Sequence, residues 1–343
     1  MLHTAVRTTL DAVLDTDWLT EVLDDVGDGE RVVAVEVVDS SKTLATKVRF
    51  RATIERADGS RDSRAYCVKA HLDGTPGADL LSEAHFYGEL APMLEVRAPR
   101  AYYAALDHDA QQAMVIMDDV VAEGGTFLGA HTPYSLDTTR DTLGQLARLH
   151  ATTWGCEHVA DLSWLAPRIT GMADFYPEDL LQSLLDDGRG PDLAPPLRSA
   201  ANLQEAMRRT GAHDVTCVIH ADPHSGNSYL DAEGRACWLD WQIVQRGNWS
   251  TDIAYHLATV LDIDTRRAHE ADLLRHYLRE LESLGGIAPS WEDAWEQYTL
   301  GFSYGYFLWV ITRISSRAVV LIHIPRLAAA LTDHDTFHRL GVV

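Results

Sequence analysis

The stretch from Cys217 to Asp240 leaves a folded chain few choices. Cys217-Val218-Ile219 is a short apolar strand, too brief to be a helix. It opens into a loop dense in polar groups, His220-Ala221-Asp222-Pro223-His224-Ser225-Gly226-Asn227. Ser228-Tyr229-Leu230 reads as another short strand and Asp231-Ala232-Glu233-Gly234 as a turn. Arg235 to Leu239 is the returning strand, with Asp240 at its end. A hairpin of that length returns Asp240 beside Asn227.

An amide oxygen and a carboxylate facing one spot suit a hard divalent cation such as Mg²⁺. Asp222, in the same loop, is an oxygen base within reach of a proton. These are the parts of a phosphoryl-transfer site, where metal ions neutralise a triphosphate, a base orients the attacking hydroxyl and a cation holds the α- and β-phosphates. Lys69 is the candidate cation. It closes the apolar run Tyr66-Cys67-Val68, where a lysine is disfavoured unless paired, and Glu83 downstream is its partner. Taken singly, each residue has a plainer reading. Lys69 could snorkel from a strand edge, Glu83 could be a solvated helix residue, and Asp240 could cap a turn. His220, Asp222 and His224 alternate and could instead be metal ligands of a hydrolase.

The rest of the chain divides by periodicity. Residues Arg31 to Val38, Thr46 to Glu55, Ala65 to Ala70 and Ala113 to Met117 read as strands, with Asp58-Gly59 as a turn. A helix is predicted from Thr16 to Leu23, with Thr16 as its N-cap, and another from Asp79 to Leu90. Beyond Asp118-Asp119 helices dominate: Leu136 to Thr153, Asp179 to Asp186, Leu197 to Thr210, Ser250 to Leu261, Ala268 to Leu284 and Trp291 to Ile311. The last carries Trp291, Trp295, Tyr298, Phe302, Tyr306 and Trp309 at helical spacing, a pattern of core packing more often than of a substrate wall. His150 likewise reads as a core histidine. The fold class is α+β and bilobal, a small β-rich N-lobe joined to a larger helical C-lobe.

The formal charge of −22 argues against nucleic acid or an anionic membrane as partner and admits a cationic substrate, although an acidic surface also simply keeps a protein in solution. Four scattered cysteines suggest neither a disulfide framework nor a zinc site. Met1 to Leu14 lacks the apolar core of a signal peptide. The apolar run Leu300 to Ile311 is too short to span a bilayer. A cytoplasmic location is expected.

His220-Ala221-Asp222 with Asn227 five residues on is similar to the kinase catalytic loop, Val68-Lys69 to the kinase third-strand lysine, and Asp240-Trp241-Gln242 to the kinase Asp-Phe-Gly. With His224, Gly226 and Leu146-Ala147-Arg148-Leu149-His150-Ala151, the pattern resembles the aminoglycoside phosphotransferase family. Glu83 to Tyr87 and Asp252-Ile253-Ala254-Tyr255 resemble its ecdysteroid-kinase-like and uncharacterised bacterial branch. The resemblance runs from about Arg31 to Trp309. It implies a protein-kinase-like fold with residues 1–118 as the N-terminal nucleotide-binding lobe and 119–343 as the C-terminal catalytic and substrate-binding lobe. It implies Asp222 as catalytic base, Asn227 and Asp240 as metal ligands, and Lys69 with Glu83 as the phosphate-holding ion pair. Met117 to Asp119 would meet the adenine edge, Asp252 would hold the catalytic loop, and His220 would brace it. The cofactors would be ATP or GTP and Mg²⁺, and the acceptor a hydroxyl of a small molecule: an antibiotic or amino-sugar, a sterol-like alcohol or a hydroxyacyl thioester. A nucleotide-binding module without turnover is the alternative, although such modules usually lack one of the residues Lys69, Asp222, Asn227 and Asp240.

One departure stands out. Kinases of this fold cover the phosphates with a glycine-containing loop between the first two strands. Here that stretch is Asp39-Ser40-Ser41-Lys42-Thr43-Leu44. Ser40 and Ser41 are expected to turn backbone N–H groups toward phosphate.

Overall fold

The computed structural model describes residues 1–72, 77, 80–190 and 193–343. Asp79, the expected start of a helix, lies outside them. The chain forms two compact units. One comprises Met1–Thr126 with Leu230–Ile243, the other Phe127–Tyr229 with Val244–Val343. Asp240, placed in the second lobe by the boundary at 118/119, therefore belongs to the first unit.

The first unit is built on a sheet of six strands: β1 (Leu2–His3), β2 (Arg31–Lys42), β3 (Thr46–Glu55), β4 (Arg61–Ala70), β5 (Ala101–Asp107) and β6 (Gln112–Asp118), in the order β1-β5-β6-β4-β3-β2. Alternation along β3 and β4 separates two faces. Val48, Phe50, Ala52 and Ile54 meet Tyr66, Val68 and Ala70 in a core closed by Trp18 and Leu19. Those two come from helix α2 (Thr16–Val22), which follows the single turn α1 (Leu10–Val13). The N-cap of α2 is Asp15 and not Thr16: its carboxylate accepts the Trp18 N–H, leaving Thr16 as the first helical residue. On the other face of the sheet Lys47 and Arg49 stand opposite Lys69 and Cys67. Helix α3 (Leu81–His85) runs into a π-helical turn, Phe86–Leu90. The Phe86 ring stacks on Trp241, with centroids 3.8 Å apart.

Two expectations change here. Strand β2 does not end at Val38. Its ladder with β3 continues through Ser40↔Val48 and Ser41↔Lys47 to Lys42↔Thr46, and the tip closes with Thr43 N–H on Ala45 C=O. Of the segment read as a phosphate loop, Asp39 to Lys42 is strand, with no glycine to break the pairing, and Thr43 and Leu44 lie in the turn to β3. Strand β5 had no clear alternation to reveal it, since four of its residues are buried in succession.

The remaining strands are β7 (Thr126–Phe127), β8 (Cys217–Ile219), β9 (Ser228–Leu230), β10 (Ala236–Trp238) and β11 (Gln245–Gly247). The turn before β10 closes with Asp231 N–H on Arg235 C=O. The second unit carries helices α4 (Leu136–Thr153), α5 (Glu157–Ala160), α6 (Ile169–Asp174), α7 (Glu178–Asp186), α8 (Ala200–Gly211), α9 (Trp249–Val260), α10 (Ile263–Ser283), α11 (Trp291–Leu300), α12 (Phe302–Ile311), α13 (Arg317–Asp333) and α14 (Thr336–Arg339). Every residue of α9 is buried. It is the central helix, packed by α4, α11, α12 and α13. The single helix expected from Trp291 to Ile311 is two, divided at Gly301. A Cβ there would stand 2.8 Å from the Ser250 carbonyl oxygen, so only glycine admits α9 this closely.

Candidate active site

In the first unit, Lys69 lies in the buried C-terminal end of β4, next to Ala70, with its side chain almost fully covered. Its Nζ lies 2.5 Å from Glu83 Oε2 and 3.0 Å from Asp240 Oδ1. Burial opposes the charge on Lys69, but the carboxylates of Glu83 and Asp240 outweigh it and hold its pKa above the ordinary value. Glu83 is drawn upward by burial and pulled back by Lys69. Asp240 has a left-handed backbone, φ +65°, uncommon for a residue with a side chain. The structure thus gathers three of the sequence-selected residues, from β4, α3 and the segment after β10.

Met117 lies within β6, paired in register with Cys67 and Ala101. Asp119 is almost wholly buried. Its carboxylate accepts the N–H groups of Val121 and Ala122 and takes both oxygens to Arg49 Nε at 2.9 and 3.0 Å. Sequence reasoning passed over Arg49, since nothing local joins it to a residue 70 positions away. The Ser40 N–H is bonded by Asp39 Oδ1 at 2.8 Å.

In the second unit, the loop after β8 is pinned by α9. Asp252 Oδ2 accepts the His220 N–H at 2.7 Å and Oδ1 the Ala221 N–H at 2.8 Å. His150 Nε2 adds a contact to the same carboxylate at 3.2 Å while its Nδ1 meets Tyr277 Oη at 2.8 Å. His150 is thus a core histidine, as expected, with a partner on each ring nitrogen. Held this way, Ala221 takes φ +68°. His220 Nδ1 accepts the Asp222 N–H at 3.2 Å.

Every oxygen of the Asp222 carboxylate has a donor. Tyr255 Oη donates to Oδ1 at 2.8 Å and Asn227 Nδ2 to Oδ2 at 2.9 Å. The same Nδ2 lies 3.0 Å from the Asp222 carbonyl oxygen. His224 Nε2 lies 3.6 Å from Oδ2. Burial works against the charge, yet His224, Tyr255 and His220 outweigh it and place the Asp222 pKa below the usual carboxylate value. The carboxylate is the ionised, proton-accepting form at neutral pH.

His220 and His224 each turn Nδ1 to a backbone N–H of their own loop, Asp222 and Gly226 respectively. The metal-hydrolase arrangement is not formed, and among the described residues no three His, Cys, Asp or Glu side chains gather to hold a metal. Two residues that hydrogen-bond to this loop went unassigned in the sequence. Tyr255 and His256 follow Asp252 at i+3 and i+4, the same face of α9. His256 Nδ1–H donates to the Pro223 carbonyl at 2.7 Å and its Nε2 faces Thr142 Oγ1 at 2.7 Å. Burial lowers its pKa to about 4, so the ring is neutral. The signal available was that helical spacing from Asp252.

The described helices include none long and apolar enough to cross a membrane. Comparison with known proteins gives three findings. No curated protein matches the chain by sequence. Among solved structures, an ethanolamine kinase of Plasmodium vivax superposes with a TM-score of 0.56 at 12% identity, over 95% of this chain and 87% of that one. A choline kinase of Cryptosporidium parvum does so with a TM-score of 0.50 at 9% identity, over 95% and 94%. At such identities the likeness speaks for the fold alone, and that fold is protein-kinase-like. The sequence model of the phosphotransferase enzyme family matches residues 49–287, more than half of the chain, and the protein belongs to that family.

Proposed function

We propose that this phosphotransferase is a small-molecule kinase that moves the γ-phosphoryl group of ATP, or GTP, onto an alcohol, with Asp222 as its base. The observation that carries the reading is the Asp222 carboxylate itself. It is ionised and fixed in direction by two hydrogen bonds, on a loop that Asp252 holds by consecutive N–H groups. A base so restrained loses little freedom when it orients an attacking hydroxyl.

Lys69, kept charged by Glu83 and Asp240, is the cation for the α- and β-phosphates. The segment from Met117 to Asp119, anchored by Arg49, is the edge that meets the base. Asn227 and Asp240 fit the demands of a hard cation. The Asn227 amide nitrogen is spent on Asp222, which leaves the amide oxygen as its ligand atom, and Asp240 has one carboxylate oxygen beyond the one that meets Lys69. Mg²⁺ held by such ligands would supply charge neutralisation for the transferring group. His220 and Asp252 support the loop and touch no substrate. The two kinases named above act on small amino alcohols, which favours an alcohol of similar size, and the acidic surface suits a cationic one.

The test is Asp222→Asn. It should retain nucleotide binding and lose turnover by about 10²–10⁴-fold, the range for a general base. Mass gain of one phosphate, across a panel of amino alcohols, amino-sugars, sterol-like alcohols and hydroxyacyl thioesters, identifies the acceptor. Wild-type turnover in Asp222→Asn would remove Asp222 from the chemistry. A wild-type enzyme that binds nucleotide but phosphorylates nothing would favour the non-catalytic module.

A further inference from the structure

We infer that Lys47 is a second phosphate-binding cation, taking by its side chain the role that a glycine loop's backbone plays elsewhere. The inference rests on the kinase reading above and concerns how this chain holds its nucleotide.

Three observations converge on it. The first is register. In the antiparallel ladders Ser41 on β2 stands opposite Lys47 on β3, and Lys47 stands opposite Lys69 on β4. Directly opposed residues share a face, so these three side chains form one row across three strands. The neighbouring row, Ser40, Val48, Val68 and Ile116, lies on the other face, where Val48, Val68 and Ile116 belong to the core. Of the two serines, Ser41 alone shares the Lys69 face.

The second is charge. Like charges directly opposite each other in a sheet are destabilising. Lys69 is satisfied at contact distance by Glu83 and Asp240, and Arg49, next on the same face of β3, is satisfied by Asp119. Among the described residues Lys47 has no carboxylate within ion-pair distance, in a chain with 51 acidic side chains. It is half-buried, and its charge reaches as far as Glu83 and Cys67, so it sits within the same electrostatic neighbourhood as Lys69. A half-buried cation left unpaired beside another cation is the arrangement that an anion completes.

The third is the strand itself. Because β2 pairs with β3 out to Lys42 and the Ser40 N–H is taken by Asp39, little backbone is left to wrap phosphate oxygens. A triphosphate lying along the Lys69 face must then be neutralised by side chains. Lys47 is the cation one strand over from Lys69, and Ser41 adds a hydroxyl at the end of the row.

The experiment measures binding of a non-hydrolysable imido analogue of ATP and of adenosine, by calorimetry with Mg²⁺, for wild type, Lys47→Ala and Lys47→Arg. Lys47→Ala should weaken the analogue by about ten- to a hundredfold, the worth of a hydrogen bond to a charged group. It should leave adenosine unchanged and flatten the salt dependence of analogue binding. Lys47→Arg should keep most of the affinity. Equal losses for analogue and adenosine, or an analogue affinity in Lys47→Ala equal to wild type, overturn the inference while leaving the kinase reading intact. A wild-type protein that binds neither compound overturns the kinase reading, and the inference with it. Coincident thermal melting of the three proteins shows that the comparison concerns folded protein.

Discussion

Tyr255 donates its hydroxyl to Asp222 Oδ1 at 2.8 Å, and it reaches that position because Gly305 on α12 makes room for its ring. A Cβ on residue 305 would stand 2.5 Å from Tyr255 Cδ2. The ring is wholly buried on the central helix, so the hydroxyl arrives at the carboxylate from a rigid support. Asp222 is therefore aimed by a residue 33 positions later in the chain.

Removing that hydroxyl has a predictable sign. A donor to the ionised carboxylate lowers its pKa, so Tyr255→Phe should raise the pKa of Asp222. The acid limb of the rate–pH profile should move to higher pH, since less acid then suffices to protonate the carboxylate. We expect turnover at the pH optimum to fall about tenfold, the worth of one such hydrogen bond, with the nucleotide KM unchanged. A purely structural role for Tyr255 would alter stability and leave the acid limb in place.

The Lys69 ion pair yields a stability prediction. Lys69→Met strands the buried Glu83 carboxylate and should cost about 3–5 kcal/mol, whereas Lys69→Met with Glu83→Gln should cost distinctly less. The sign with pH follows. Burial already raises the Glu83 pKa, and without the lysine it rises further. Protonated Glu83 is tolerated in the interior, so the deficit of Lys69→Met should shrink as pH falls toward the unfolded carboxyl value and grow as pH rises through the folded one. Urea titrations at several pH values measure this. Additive single and double losses at every pH would show that the two side chains are not coupled.

Ala221 offers a backbone prediction. Its φ of +68° strains any residue with a Cβ, and a β-branched one most. Ala221→Gly should be neutral or stabilising by up to about 1 kcal/mol, the relieved strain being partly offset by the freer unfolded chain. Ala221→Val should destabilise and reduce turnover together, because the N–H of this residue is one of the two that Asp252 holds. Thermal melting of the pair is sufficient. A valine variant as stable as wild type would mean that the loop adopts another conformation in solution.

How much of this was legible follows from distance along the chain. The polar loop from His220 to Asn227, the lysine closing an apolar strand and most helices of the second unit are local patterns. The helix from Leu136 to Thr153 was read to the residue, because Ser135 caps it and its apolar face repeats within it. The split at Gly301 was not, since the aromatic period runs through it unbroken and only the Ser250 carbonyl, on another helix, explains why that residue is glycine.

Chemistry that depends on neighbouring residues was present in the sequence alone: which acid, amide and cation the chain offers, and the α+β class they sit in. Register and crossing angle were not, because they come from pairings between segments with no common period. The fold alone decided that Asp240 meets Lys69, 171 positions away, that Lys47 stands opposite Lys69, and that Tyr255 steadies Asp222. A side chain announces its charge locally, but its partner is chosen by the packing of the whole unit.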